Sequence, residues 1–489
     1  MVVEATAPCR KKHGAVAGFA LLVRCALVRF GNGSITSSLH FCIGRSVLQL
    51  LMLLVRVVFL FALSWGILLA QAFINAGPMV GFADMREVHL WLQTTAPARV
   101  AVRYADTAEP LRWYWTQPQT TKREDGFTAH IVADSVQPGR VYRYEVYLDG
   151  ARIERPYALL FRTPPLWQWR TDPPAFRFAL GSCAYINDPP YDRPGKPYGG
   201  NYEIFRAIAA EQPYFFLWLG DNVYLREPDW NTWTGILHRY SHDRAIEELQ
   251  PLLGASSNIA IWDDHDYGPN DADRGFWNKY QTRRAFDLFW ANPPAAFPDG
   301  GITTKFSWGD CEFFLLDDRW WRSPNNRKTG KRSYLGEQQL QWLIDNLVYS
   351  TATFKFVCVG GQVLNPVARF ENYATYPEER RRLIEAIRRE GIRNVIFLTG
   401  DRHHTELSRY AEGDSLVLYD LTVSPLTSSP NVNAASEPNT LRVEGTLVME
   451  RNFATIDVEG PATRRQLRIR VFGADGSLKW ERIIPAQPR

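Results

Sequence analysis

Cysteine is scarce in this chain: six in 489 residues, with Cys9, Cys25 and Cys42 close to the N-terminus. That excludes a small scaffold held together by disulfides, which needs dense cysteine. Cys311 and Cys358 stand in apolar strand patterns and are expected as buried thiols. Internal repeats, low-complexity tracts and glycine periodicity are missing too, and 45% apolar residues with 17 Trp exclude a disordered chain. An excess of one charge is lacking over most of the length. The formal charge is +4, but residues 1–72 hold Arg10, Lys11, Lys12, Arg24, Arg29, Arg45 and Arg56 against Glu4, leaving 49 basic and 51 acidic groups in the rest. The basic total therefore marks a leader and not a nucleic-acid-binding patch. The arginines from Arg380 to Arg389 alternate with Leu383, Ile384 and Ile387 as the solvated face of a helix.

The leader reads as a secretory signal. From Met52, itself a possible start, a short segment with Arg56 precedes an apolar run from Val57 to Leu69, then Ala70-Gln71-Ala72, which fits small-x-small cleavage. The run falls short of the ~20 residues of a membrane span, although Leu48 to Leu54 could extend it into an anchor. The expectation is export to the periplasm, cell envelope or exterior, with membrane contact only through an uncleaved signal.

Residues 73–165 alternate apolar and polar positions, as in Val88, Leu90, Leu92 and in Tyr142, Tyr144, Val146, Leu148. Turns at Pro138-Gly139 and Asp149-Gly150 complete the pattern of an immunoglobulin- or fibronectin-like β-sandwich domain. A Pro-rich linker follows. Residues 176–489 alternate fully apolar strands, such as Tyr214 to Leu219 and Val395 to Leu398, with amphipathic helices, which predicts an α/β catalytic domain. His89, His130, His238 and His242 are read as surface residues, and Trp342 as a helix anchor on the sheet.

The chemistry lies after the strands. Their exits read Gly181-Ser182-Cys183, Gly220-Asp221-Asn222-Val223-Tyr224, Trp262-Asp263-Asp264-His265-Asp266 running to Asn270, Asp317-Asp318-Arg319, Gly360-Gly361-Gln362, and Gly400-Asp401-Arg402-His403-His404. Open α/β sheets place their sites beyond strand carboxyl ends, so these groups can converge. Crowded carboxylates repel unless a cation joins them. Carboxylate, imidazole, amide, thiolate and phenolate together suit two or more metal ions: Fe(III) where Cys and Tyr stand together, and Ca, Mg or Mn at the oxygen-rich remainder.

Those exits carry a resemblance. The chain resembles the PhoD-like alkaline phosphatase and phosphodiesterase family of metallophosphoesterases over about residues 77–460, through Gly-Ser-Cys, Gly-Asp-x-x-Tyr, Trp-Asp-Asp-His-Asp and Gly-Asp-x-His. The resemblance implies a metallophosphoesterase-type β-sandwich core flanked by helices. It also implies a multinuclear centre: Cys183, Asp221, Tyr224 and Asp401 on Fe(III), with Asp221, Asn270 and His403 toward neighbouring Ca(II). Asp264 competes with Asn270 as a ligand, and Mn, Mg or Zn are alternative divalent ions. Gln362 stands where many metallophosphoesterases have a histidine ligand. The implied reaction is hydrolysis of a small or polymeric phosphate mono- or diester by metal-activated hydroxide, with His265 as general acid or phosphate contact. Arg319 is expected either to stabilise phosphate charge or to partner Asp317. The protein is expected to be a monomer. Phospholipase D-like or phosphotriesterase activity on the same scaffold is the competing reading. A non-catalytic cell-surface binding protein is argued against by the intact motif acids.

Overall fold

The computed structural model describes residues 49–57, 72–413 and 416–487. Residues 49–57 form helix α1. The rest of the expected signal, through Gln71, lies outside the described residues. Among the described residues no helix is long and apolar enough to cross a membrane.

From Ile74 the chain runs through β1 (Ile74–Ala83), β2 (Val88–Thr94), β3 (Arg99–Asp106), the short β4 (Tyr114–Trp115) and β5 (Gln119–Thr120), β6 (Thr128–Ala133), β7 (Val141–Leu148), β8 (Ala151–Ile153) and β9 (Leu160–Arg162). Its alternation is visible in β7, where Tyr142, Tyr144, Val146 and Leu148 are buried. Strands β3, β4, β5, β7, β8 and β9 form one antiparallel sheet, with Tyr104 packed among Tyr142 and Phe161. Strands β1, β2 and β6 take another course. They extend a nine-stranded sheet through parallel pairing of β1 with β12 (Ser257–Ile261), in register Val80 to Ser257.

The helices that follow are α2 (Glu203–Ala210), α3 (Trp233–Arg244), α4 (Gln250–Ala255), α5 (Asp264–Tyr267), α6 (Lys279–Phe289), α7 (Glu337–Tyr349) and α8 (Pro377–Arg389). The centre of the nine-stranded sheet is parallel β10 (Phe176–Gly181), β11 (Phe215–Leu219) and β12, with β19 (Asn452–Glu459), β20 (Gln466–Gly473) and β21 (Leu478–Pro485) antiparallel at one edge. A six-stranded sheet faces it, in the order β13 (Thr304–Trp308), β14 (Cys311–Leu315), β15 (Phe354–Cys358), β16 (Val395–Thr399), β18 (Leu416–Thr422) and β17 (Glu406–Glu412).

Phenylalanines hold the two sheets together. Phe178 of β10 meets Phe313 of β14 and Phe356 of β15, each at 5.3 Å between ring centroids, and stacks on Phe215 at 5.1 Å. Each such ring contributes about 1.5–3 kcal/mol by leaving water. On the far face of the six-stranded sheet, Leu340, Leu343 and Leu347 of α7 and Leu383 and Ile387 of α8 cover Phe314, Val357 and Phe397. Trp342 meets Phe314 there. Strands covered on both faces are apolar along most of their length, and β11, β12, β15 and β16 are buried throughout, with Ser257, Asn258, Lys355 and Thr399 as their polar members. Their parallel course sends all the carboxyl ends to one rim.

Candidate metal centre

Strand pairing continues into the loops at this rim. The Cys183 amide donates to the Gly220 carbonyl (3.2 Å) and Ala184 to Asp221 (2.9 Å), tying the first two exits together. Asp266 ties in the third, its carboxylate accepting from the amides of Asp263 (3.0 Å), Asn222 (3.1 Å) and Val223 (3.3 Å). Gly400 lets the last exit approach: a Cβ there would meet Ser182 Cβ at 2.6 Å and the Leu219 carbonyl at 2.7 Å.

The side chains displayed there share an unusual backbone. Cys183 (φ 61°), Asp221 (53°), Asp401 (63°) and His403 (55°) all adopt the left-handed conformation. For a residue with a Cβ this costs on the order of 1–3 kcal/mol, and such strain gathers where geometry serves function. These are four of the residues singled out above.

Three groups of ligand atoms lie within 4.8 Å of one another: Cys183, Asp221 and His403; Asp221, Asp264 and His265; Asp264, Asp271 and Glu371. Asp221 is common to the first two and Asp264 to the last two. Tyr224 joins the first group, its hydroxyl 3.4 Å from His403 Nε2. His403 Nδ1 donates to the Ser429 carbonyl at 2.7 Å, so Nε2 keeps its lone pair for a ligand. Ser424 donates to the Cys183 sulfur at 3.2 Å. Asp401 Oδ2 and His265 Nδ1 are buried without a hydrogen-bond partner.

Protonation behaviour reflects this crowding. Burial, then the neighbouring Asp264, Asp266 and Asp401 carboxylates, push Asp221 well above the usual carboxylate range. Burial takes Asp401 up to about 7. Burial, then Asp221, raises the Cys183 thiol, and burial, Asp221 and Cys183 raise the Tyr224 phenol. Asp264 runs the other way: against its burial, His265 and Arg319 hold it below the carboxylate range. Burial lowers His403 to about 4 and also lowers His265, keeping both imidazoles neutral. A buried set of acids, thiol and phenol that resist ionisation, beside neutral imidazoles with free nitrogens, fits cations, because a bound ion reverses each penalty. The third group fits less well, since Glu371 is already neutralised by Arg319 (2.7 Å) and Arg322 (2.6 Å).

Asn270 reaches the cavity edge, exposed, its amide on Asp271 Oδ1 at 2.8 Å. Arg319 faces neither substrate space nor the Asp317 side chain. Its guanidinium is bound to Asp263 and Glu371, and only its backbone amide meets Asp317 Oδ1, at 2.8 Å. Asp317 is instead a loop brace that also accepts from Ile302 and Trp320. Gln362 is fully engaged by Glu406, Thr422, Asn365 and Arg402. The surface reading of the four outlying histidines needs correction in part. His130 is partly buried with its Nε2 3.0 Å from the Leu288 carbonyl, and His242, also partly buried, contacts Asp243 at 2.8 Å. Sequence patterns missed Tyr198, Asp271 and Glu371, which come from irregular loops, and Ser424, which stands two residues beyond β18 at an exit with no acid, histidine or cysteine to flag it.

A family model for PhoD-like phosphatases matches residues 178–459. The chain belongs to that family. A second model, for a domain of unknown function (DUF7800), matches residues 71–164. Alkaline phosphatase D of Bacillus subtilis (strain 168) is 24% identical over 326 residues, covering 56% of this chain and 53% of the relative, about half its length. A solved structure of PhoD superposes with a TM-score of 0.68 at 19% identity, covering 84% of this chain and 92% of that one. Purple acid phosphatase PPD1 from yellow lupin (Lupinus luteus) gives 0.60 at 12% identity, covering 83% and 74%. The likenesses establish the PhoD-like fold, a metallophosphoesterase sandwich, for the paired sheets described above.

Proposed function

We propose that the protein is an exported, metal-dependent phosphoesterase that hydrolyses phosphate mono- or diesters. The observation that carries this reading is the convergence of Cys183, Asp221, Tyr224, Asp264, His265, Asp401 and His403 in one cluster, buried or partly buried, with unpartnered Oδ2 and Nδ1 atoms at Asp401 and His265. Residues 73–165 are assigned as its fibronectin-like part and 176–489 as its catalytic part. Cys183, Asp221, Tyr224 and Asp401 would hold Fe(III); Asp221, Asp264, Asn270 and His403 would hold Ca(II) or another divalent ion, Mn, Mg or Zn. Bound there, the ions would supply positive charge for the phosphate and a nucleophilic hydroxide at neutral pH.

The chain's own residues do the rest. Ser424 orients the Cys183 sulfur, and the Ser429 carbonyl fixes the tautomer of His403. The Tyr224 ring lies 4.4 Å from that of His265, holding the imidazole plane where it lines the cavity. From there His265 can hydrogen-bond a phosphate oxygen through its ring N–H or, once the negative charge of a bound ester favours its protonated form, give that proton to the departing alkoxide. Arg319 acts at one remove, by positioning Asp263 and Glu371.

The test is metal analysis of the purified full chain alongside hydrolysis of p-nitrophenyl phosphate and bis(p-nitrophenyl) phosphate. Both metal and turnover are expected, and Cys183→Ala should lose iron and at least 100-fold in kcat/KM together. A folded, metal-free protein without turnover would overturn the proposal.

A further inference from the structure

We infer that the site cavity carries a second anion pocket, built from Arg332 and Arg369 beside Phe370, which recognises another phosphate or comparable anion on the leaving alcohol. This rests on the phosphoesterase reading above and names its substrate class: esters whose alcohol is itself anionic.

Size is the first observation. The cavity that reaches Asp221, Asp264, His265, Asp401 and His403 has a volume of about 460 Å³ and continues past Asn325, Arg332, Arg369 and Phe370. That is room for a whole small ligand, well beyond one phosphate group.

Charge is the second. The neighbouring Arg319 and Arg322 have their charge paired with Asp263 and Glu371. Arg332 and Arg369, by contrast, make no ion pair with a carboxylate among the described residues. Arg332 is nevertheless fixed in place: Nη2 donates to the Asn325 carbonyl at 3.0 Å and the guanidinium lies 4.6 Å from the Tyr376 ring centre. Its Nε is buried with no partner. A guanidinium held rigid with donors unspent suits phosphate, whose oxygens match its fork.

The third is the segment between them. Phe370 (φ 44°) and Glu371 (φ 60°) are both left-handed, and Glu371 is clamped by Arg319, Arg322 and Asn325. The clamp keeps the Phe370 ring 66% exposed at the cavity wall, with the Arg402 guanidinium 5.2 Å from its centre. A strained backbone that holds an aromatic ring out in solvent offers an apolar face for the carbon skeleton of the alcohol.

Alkylphosphonates test this without turnover, because their C–P bonds are not hydrolysed. Calorimetry on the metal-loaded full chain would compare propylphosphonate with α,ω-alkylbisphosphonates from ethane to hexane. The best bisphosphonate is expected to bind at least tenfold more tightly than propylphosphonate. Arg332→Gln with Arg369→Gln should reduce that ratio below threefold, while the charge-conserving Arg332→Lys with Arg369→Lys should keep it above fivefold. No preference in the parent protein, or a ratio unchanged in the glutamine pair, would overturn the pocket. Hydrolysis of p-nitrophenyl phosphate measured in parallel separates the two readings. Preference without turnover removes the phosphoesterase assignment and leaves an anion pocket; turnover without preference removes the pocket alone.

Discussion

Replacing Arg319 by Met asks whether a guanidinium at this rim serves the substrate or the fold. The side chain is 1% exposed, and its partner Asp263 is 0% exposed. Nε lies 2.6 Å from Asp263 Oδ1, Nη2 bonds the same oxygen, and Nη1 lies 2.7 Å from Glu371. Methionine keeps most of the apolar stem but strands the acids. Glu371 retains Arg322 and Asn325. Asp263 retains only backbone amides, that of Asp264 at 3.0 Å and that of Asp266 in the cap of α5, and its Oδ2 already has no partner. Removing one member of a buried ion pair costs about 3–5 kcal/mol, because the other charge stays buried. Urea unfolding of the metal-loaded protein at pH 7.5 should show a loss of that size. Adding Asp263→Asn should recover at least about 1 kcal/mol, since no stranded charge then remains. The argument would be refuted by a loss under about 1 kcal/mol together with weaker substrate binding, seen as a 100-fold or greater increase in KM at nearly constant kcat. That result would return Arg319 to the phosphate.

Two further outcomes follow from packing and burial. Gly400→Ala should lower stability by about 1–3 kcal/mol in urea and reduce phosphate-ester turnover at least tenfold, because the new Cβ meets Ser182 and the Leu219 carbonyl and must displace Asp401. Asp420, buried under the Val363 and Leu364 amides and the Thr399 hydroxyl, is pushed up to about 6 by burial. A raised folded-state pKa gives stability that is complete below the ordinary pKa of 3.8 and is lost as pH climbs through about 6, on the order of 3 kcal/mol in all. The urea midpoint should fall across that window and fall less steeply in Asp420→Asn; equal slopes would refute the assignment.

Much of this rim could be read from the chain because two physical constraints coincide. A strand buried on both faces is apolar along most of its length, so Phe215 to Leu219 and Val395 to Leu398 stand out in the sequence. Polar groups packed directly behind such runs, as at Asp221 and Asp401, then have few structural explanations. Legibility ends where partners are distant in sequence and unmarked by period. The Arg319 guanidinium pairs across 56 positions with Asp263 and across 52 with Glu371, whereas nearness in sequence accounts only for the bond from its backbone amide to Asp317. Tyr198 and Glu371 sit in irregular loops, placed by the contacts of their neighbours and not by any repeat of their own, and Ser424 follows β18 with a residue type that marks no site by itself. His130 looked like a polar strand position facing water. It is covered by α6, whose Leu288 carbonyl meets it.

The pairing of Val80 with Ser257 has a consequence for descent as well as for stability. Strands β1, β2 and β6 are hydrogen-bonded into the same sheet as β12, and the join is reinforced by Trp91 Nε1 on the Leu288 carbonyl and Tyr144 on the Gly254 carbonyl. A gene rearrangement that dropped the N-terminal strands would leave the β12 backbone as a bare apolar edge, open to association with other chains. Replacing the N-terminal segment by an unrelated module is therefore expected to keep this sheet edge covered only where the newcomer brings a strand that completes the ladder.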